Sequence, residues 1–114
     1  MKQPSIRILF GAASSLGPGK IALLESISRV GSISGAAREM GMSYRRAWLL
    51  VEAMNTAFTQ AVVVAVTGGA RGGGAAVTPF GLDLLERYRR IEAKAALAVA
   101  GDLKALAKRL VNKA

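Results

Sequence analysis

Apolar residues near the start of the chain recur at helical spacing. The stripe Ile21, Leu24, Ile27, Val30 predicts a helix with one buried face. Pro18 suits the first turn of that helix, and Gly31 can end it in a left-handed conformation. Before it, the alternating stretch "SIRILF" at 5–10 predicts a short strand, and "GAASSLGPG" predicts a loop.

The next segment predicts two helices joined by a very short turn. Ser32 or Ser34 can cap a short helix that carries Ala36, Ala37 and Met40. Gly41 stops that helix, and Ser43 can cap a longer one. The inward positions of the second helix are Ala47, Leu50 or Val51, Met54 and Phe58.

A β-hairpin and further helices follow. The β-branched run "AVVVAV" at 61–66 and the stretch "AAVT" predict two paired strands, with the glycine-rich stretch 67–76 at the hairpin tip. Thr78 can cap the next helix, with Pro79 in its first turn. Its predicted buried stripe is Phe80, Leu84, Tyr88, Ile91. Gly101 interrupts the pattern, so we expect Asp102 to cap a separate last helix.

The two helices around Gly41 have the spacing of a helix-turn-helix. Such a motif needs a small residue where the helices cross, which Ala37 supplies, and a residue that tolerates positive φ in the turn, which Gly41 supplies. An ordinary αα-corner in a helical bundle remains the alternative. With the hairpin beside it, the pattern predicts a mainly α fold with a small β-hairpin wing, a winged helix-turn-helix. We assign it to residues 1–92, followed by a helical extension at 93–114.

Composition narrows the function. The 114 residues include 16 Lys and Arg against 7 Asp and Glu, a net charge of +9 that favours nucleic acid or an acidic membrane surface as partner. Histidine and cysteine are absent, which argues against an enzyme, a small-molecule substrate and a metal site. No apolar stretch predicts a signal peptide or a membrane span. We therefore expect a cytoplasmic, nucleoid-associated protein that binds double-stranded DNA.

The candidate recognition residues open the second helix of the motif. They are Ser43, Tyr44, Arg45, Arg46 and, further along, Trp48. Arginines in a first helical turn oppose the helix dipole, which favours negative charge there, so an anionic partner is indicated. They can bind guanine edges or only phosphates, and the sequence leaves both open. A lone tryptophan is more often a packing residue than a base contact.

The hairpin tip supplies the candidate wing residues. They are Thr67, Gly68, Gly69, Arg71, Gly72 and Gly73. Glycines let a backbone approach a phosphate or enter a narrow minor groove, and Arg71 offers a positive group to that groove. The tip lacks the Gly-Lys-Ser/Thr of a nucleotide-binding P-loop. A mobile loop without a partner is the remaining alternative.

Residues 16–92 resemble a known family. "LGPGK", "GSIS", "MSYRRAW", the glycine-rich tip and "TPFG" look like the N-terminal DNA-binding domain of ModE-type molybdate-responsive regulators, and more distantly like LysR-type regulators. The resemblance implies a winged helix-turn-helix, a homodimer and a pseudo-palindromic operator. It also implies that residues matching 43–48 lie on the recognition helix and those matching 68–74 form the wing.

The C-terminal stretch departs from that family. The sequence "EAKAALAVAGDLKALAKRLVNKA" does not resemble the molybdate-binding portion of its members. We therefore expect no cofactor in this chain, and any molybdate sensing would belong to a portion outside it. Its apolar positions need a cover, and a second copy of the helix is the simplest one, so we expect a dimerisation helix. A non-specific nucleoid-type DNA-binding protein without an effector is the alternative function.

Overall fold

The computed structural model describes residues 5–11, 14–69 and 72–111. Over these residues the chain forms helices and two small antiparallel sheets, which confirms a mainly α fold with a small β-hairpin. In chain order the elements are β1 (Ile8–Leu9), β2 (Ser15–Leu16), α1 (Pro18–Val30), α2 (Ile33–Met40), α3 (Tyr44–Ala57), β3 (Val63–Gly69), β4 (Gly72–Val77) and α4 (Pro79–Ala107). β1 pairs with β2, and β3 with β4.

The helices begin where the sequence predicts. The side chains of three residues accept a hydrogen bond from a backbone N–H in the first turn of α2, α3 and α4, namely Ser32, Ser43 and Thr78. Pro18 and Pro79 occupy the first turns of α1 and α4. These caps satisfy N–H groups that a helix cannot bond internally, so the local sequence sets the element boundaries.

The helix-turn-helix is present. Gly41 lies at φ 69°, and the backbone N–H of Met42 donates to the carbonyl of Ala37 at 3.0 Å. Ala37 and Ala47 are buried where α2 and α3 cross. A side chain at position 41 would be strained in this left-handed conformation, and a larger one at 37 would separate the helices.

Side chains of α1, α3, α4 and the residue before β3 form the centre of the core. Its largest fully buried side chains are Ile21, Leu23, Leu24, Ile27, Met54, Val62 and Tyr88. Tyr88 donates its hydroxyl to the carbonyl of Ile6, which ties the N-terminal segment to α4. Burial raises the pKa of this phenol above its usual value. Two predicted stripe residues, Val30 and Ile91, are exposed instead, because the stripes extend past the core.

Two local predictions were wrong. The predicted loop after β1 contains β2, because Leu16 is buried against the core and pairs with Ile8. Phe58 packs against the core as predicted, but from extended backbone just past the end of α3 rather than from within the helix. There its ring packs edge-on against Phe10 and Phe80, with centroids 6.0 and 5.4 Å away.

The expected helix break at Gly101 was also wrong. α4 runs unbroken from Pro79 to Ala107, and Asp102 lies inside it rather than capping a new helix. A single glycine costs a helix only about 1 kcal/mol, and its neighbours are mostly good helix formers. α4 buries residues only in its first third, the last of them Tyr88. The division into 1–92 and 93–114 remains a prediction, and α4 crosses that boundary.

The β3–β4 hairpin is fastened to the helices at both strands. The Asn55 side chain of α3 accepts from the backbone N–H groups of Val62 and Val63, at 2.7 and 3.1 Å, and donates to the carbonyl of Val63 at 3.0 Å. On the other strand, the N–H of Ala75 donates to the carbonyl of Gly31 at 2.9 Å. The turn after α1 and the end of α3 therefore together position the hairpin.

Replacing Gly81 by alanine should destabilise the fold. A Cβ at this position would lie against the carbonyl oxygen of Val62 and 2.5 Å from Cγ1 of Val77. Overpacking of this kind costs about 1–3 kcal/mol. Gly101→Ala is the matched control, because a Cβ there meets nothing within 4 Å. Urea unfolding should show a loss for Gly81→Ala and none for Gly101→Ala; equal stability of both variants would contradict the close packing.

Replacing Asn55 by alanine should loosen the hairpin. It leaves two N–H groups and one carbonyl at the start of β3 without their partner, which costs about 1–3 kcal/mol. Amide hydrogen exchange at Val62 and Val63 should accelerate. Thr56→Ala, which removes only an exposed hydroxyl bonded within α3, is the control and should leave these amides protected. Unchanged exchange in Asn55→Ala would show that the hairpin does not depend on this side chain.

Candidate nucleic-acid interface

The first turn of α3 presents the predicted recognition residues to solvent. The Ser43 hydroxyl accepts from the N–H of Arg46 at 3.1 Å and so fixes the start of the helix. Tyr44, Arg45 and Arg46 are exposed, whereas Ala47 faces the core. Trp48 is 44% exposed, so its ring is shared between packing and solvent. All five candidate residues are therefore accessible to solvent at or near the start of α3.

The exposed surface of α3 has two sides. Toward the hairpin lies a cleft of about 370 Å³, which we name the wing-side cleft. Its lining combines Tyr44, Trp48 and Glu52 of α3 with the start of α2 and the bases of β3 and β4. Tyr44, Trp48 and Glu52 are spaced by four residues, so they share one face of the helix. This side is aromatic and carries one carboxylate.

The opposite side is basic. A shallow depression of about 270 Å³ is lined by Arg45, Arg46 and Leu49, together with Ser43 and Leu50. Arg46 also lines a second hollow of about 160 Å³, which we name the α1-side cleft. The remaining lining residues of that cleft are Arg7, Gly17, Gly19, Lys20, Met42 and Leu50. Arg45 does not reach it, so the two neighbouring arginines have different surroundings.

None of the ion pairs among the described residues includes Arg45 or Arg46, so the charge of this basic side is not neutralised. Five of the seven acids pair with arginines of α1 and α4, in the pairs Arg29–Glu39, Arg87–Asp83, Arg89–Glu25, Arg89–Glu92 and Arg90–Glu86. Hydrogen bonds to Glu25 and Glu92 raise the pKa of the Arg89 guanidinium above its usual value. Within the part of the chain that the structure describes, Arg7, Lys20, Arg45 and Arg46 form no ion pair. Their charge is therefore available to an external anion.

The candidate wing residues lie on the β3–β4 hairpin, which contributes to the lining of the wing-side cleft. Thr67, Gly68 and Gly69 end β3, and Gly72 and Gly73 begin β4, with Gly69 paired to Gly72. Thr67 is exposed. Arg71 lies outside the described residues, so its contact with DNA stays a prediction. The bases of both strands line the wing-side cleft, which brings the hairpin and α3 together at one surface.

Sequence reasoning missed Arg7 and Lys20. Lys20 lies in the first turn of α1, where the helix dipole disfavours a cation, the same signal that pointed to Arg45 and Arg46. That signal was sufficient to find Lys20 as well. Nothing in the sequence relates Arg7 to Arg46, because their proximity depends on the packing of the N-terminal segment against α1 and α3.

Among residues 5–11, 14–69 and 72–111, no group of three or more acidic, histidine or cysteine side chains is arranged to hold a metal ion. No helix in those ranges combines the length and the apolar character that crossing a bilayer requires.

Comparisons with known proteins identify relatives. No family model matches the chain. The molybdenum-pterin-binding protein MopB of Rhodobacter capsulatus is 44% identical over 99 residues, which cover 87% of this chain and 37% of MopB. The molybdenum transport protein ModE of Azotobacter vinelandii is 39% identical over 79 residues, 69% of this chain and 29% of that protein. The DNA-binding transcriptional dual regulator ModE of Escherichia coli K12 is 41% identical over 71 residues, 62% of this chain and 27% of that protein.

The chain spans about a third of the length of these curated relatives. The match to MopB covers 99 of the 114 residues and therefore includes the helix-turn-helix and the hairpin. By this similarity the chain is a relative of the ModE regulators and the Mop proteins, and it corresponds to the N-terminal region of ModE.

Proposed function

We propose that this protein is a sequence-specific DNA-binding transcriptional regulator that acts as a homodimer. The observation that carries the proposal is the first turn of α3, where Arg45 and Arg46 are exposed and unpaired among the described residues, on a helix whose other side faces the hairpin with Tyr44 and Trp48. A capped helix start with uncompensated arginines suits the major groove of DNA. The name of the E. coli relative, a DNA-binding transcriptional regulator, supports it.

In this proposal α3 reads the major groove and the hairpin follows the backbone into the adjacent groove. Arg45 can donate two hydrogen bonds to O6 and N7 of a guanine. Tyr44 and Trp48, on the wing side of α3, can contact thymine methyl groups or sugars. The glycines of β3 and β4 let the hairpin backbone approach phosphates closely, and Arg71 would add a positive group at the tip.

The homodimer would form through the C-terminal part of α4. Leu97 is 82% exposed and Leu106 is 61% exposed, and no described residue of α4 after Tyr88 is buried. A second copy of the helix would cover these side chains. The two α3 helices of such a dimer could then bind half-sites about 34 Å apart, one turn of DNA. The protein would act in the cytoplasm, on the chromosome.

We further propose a link to molybdenum metabolism, because the relatives are named for molybdenum transport and for molybdenum-pterin binding. No effector site is proposed within the described residues. Isothermal calorimetry of the chain with molybdate, in the presence and absence of DNA, tests whether the chain itself carries an effector site. Heat of binding from the chain alone would place an effector site in this chain and overturn the expectation that it carries no cofactor.

A selection from random duplex oligonucleotides tests the proposed function itself. Binding can be followed by the fluorescence of Trp48, the single tryptophan of the chain, which lies at the proposed interface. Enrichment of one inverted-repeat sequence is expected. Tight binding without enrichment would instead favour a non-specific nucleoid-type protein.

Arg45→Ala should reduce specificity more than affinity. Loss of a bidentate contact to guanine costs about 1–3 kcal/mol of discrimination on the selected sequence, with a much smaller loss on random DNA. Fluorescence anisotropy with both duplexes at one salt concentration measures the two affinities. Arg87→Ala is the control, since Arg87 is an exposed arginine that pairs with Asp83 on α4. Equal losses on both duplexes would show that Arg45 contacts only the backbone.

Leu97→Asp should weaken the dimer and, through it, the affinity for the inverted repeat. A charge placed in a two-fold apolar contact repels its own copy and must be desolvated. Sedimentation equilibrium of the wild type and the variant measures the association. Val64→Asp, which alters an exposed apolar residue of β3, is the control and should leave the association constant unchanged. A monomeric wild type, or a variant that associates as tightly, would exclude α4 as the dimer contact.

A further inference from the structure

The α1-side cleft gathers three cations from distant parts of the chain. Arg7 comes from the N-terminal segment, Lys20 from the first turn of α1 and Arg46 from the first turn of α3. The cleft has a volume of about 160 Å³ and no acidic residue in its lining. Like charges held together this closely repel each other, and an anion bound among them would relieve that repulsion.

The structure holds these side chains in place. The Nζ of Lys20 donates to the carbonyl of Ser15 at 2.8 Å, which orients the ammonium and leaves its other protons available. The guanidinium of Arg7 lies over Gly17, so closely that a Cβ on Gly17 would be 3.5 Å from its Cζ. Contacts with the β2–α1 segment therefore position Lys20 and Arg7 at the cleft, beside Arg46 from α3.

The distribution of acids favours the same conclusion. Among the described residues Arg29, Arg87, Arg89 and Arg90 each have a carboxylate partner, whereas none of the three cations of the cleft has one. The one acid near α3, Glu52, lines the wing-side cleft on the other side of that helix. The start of α1 also has no capping side chain and no acidic residue in its first turn, so its dipole adds to the positive potential.

We propose that the α1-side cleft binds a phosphate of the DNA backbone, beside the stretch that α3 reads, and that Arg46 contacts this backbone rather than a base. The inference rests on the proposed DNA-binding function. Arg46 lines both the basic surface of α3 and the cleft, so an anion in the cleft lies at the edge of the surface that faces DNA. Arg45 lines only the former and remains the candidate for base contact.

Substitutions of Arg45 and Arg46 should therefore have different effects on sequence preference and on the salt dependence of binding. Phosphate contacts add affinity for every sequence and steepen its dependence on salt, whereas base contacts alter the preference for one sequence over another. Removing cations of the cleft should lower the affinity for selected and random duplexes equally. The ratio between the two affinities should stay as in the wild type.

The test compares the salt dependence of binding for the wild type, the double variant Arg7→Gln/Lys20→Gln, Arg46→Gln and Lys94→Gln. Lys94 is an exposed cation of α4 that pairs with no described acid, so its variant controls for the loss of one positive charge elsewhere on the surface, as in Arg46→Gln. Affinities for both duplexes are measured between about 50 and 200 mM salt. If the cleft neutralises one phosphate, the plot of log K against log salt should be less steep in the double variant than in the wild type, by about 0.9. Arg46→Gln should lower the slope as well, without changing the affinity ratio.

A conservative variant and a free anion complete the design. Lys20→Arg keeps the charge and should retain most of the wild-type slope, and circular dichroism confirms that each variant is folded. Inorganic phosphate is titrated into the DNA-free protein, with chemical shifts of the Gly19 and Lys20 amides as readout. Saturable binding that the double variant loses, without a change in its DNA salt slope, would show that the cleft holds a free oxyanion and would overturn the proposal.

The remaining outcomes separate the two proposals. If the wild type binds DNA but the double variant has the slope of Lys94→Gln, the assignment of the cleft fails while the DNA-binding function stands. If Arg46→Gln changes the affinity ratio between duplexes as Arg45→Ala is expected to, Arg46 contacts a base and the assignment also fails. If the wild type binds neither duplex, the proposed function itself fails.

Discussion

The position of the β3–β4 hairpin depends on backbone hydrogen bonds that a two-stranded sheet cannot make within itself. An isolated hairpin is marginally stable, and each strand here has an outer edge with unpaired groups. Asn55 of α3 satisfies three backbone groups at the start of β3, and the carbonyl of Gly31 satisfies one in β4. The second contact needs a close approach, since a Cβ on Gly74 would lie 2.8 Å from the Gly31 oxygen. The helix that bears the candidate recognition residues therefore also holds the hairpin, so the two are positioned as a unit.

The ion pairs of the described residues include no residue of α3. The acids lie mainly where they pair with arginines of α1 and α4, and exposed pairs of this kind contribute little to stability. Their effect is to neutralise the surface away from α3. Among the described residues, the cations without an ion pair lie around the starts of α1 and α3, in and just after the second half of α4 and, with Arg38, on α2. The group around the starts of α1 and α3 is brought together only by folding.

The exposed surface of α3 divides into an aromatic side and a basic side. Under the proposed function, different side chains of this helix would determine the sequence preference and the overall affinity for DNA. Tyr44 and Trp48 face the wing, Arg45 faces outward and Arg46 turns toward α1. Side chains adjacent in sequence therefore have different surroundings, because successive helical positions are rotated by about 100°. The ModE relatives match the part of the chain that includes α3.

Local signals in the sequence were sufficient for the helix caps, the turn at Gly41, the two hairpin strands and the exposed start of α3. Each depends on the chemistry of a few consecutive residues: a hydroxyl at a helix start, a glycine at positive φ, a β-branched run. The same local reasoning failed at Gly101, where one glycine did not outweigh the helix formers around it, and at Leu16, whose burial depends on the core. Only the tertiary structure brought Arg7 and Lys20 to Arg46, and only it assigned Asn55 to the hairpin. Those contacts join segments far apart in sequence, and no local pattern records which distant backbone or charge a side chain will meet once the helices pack.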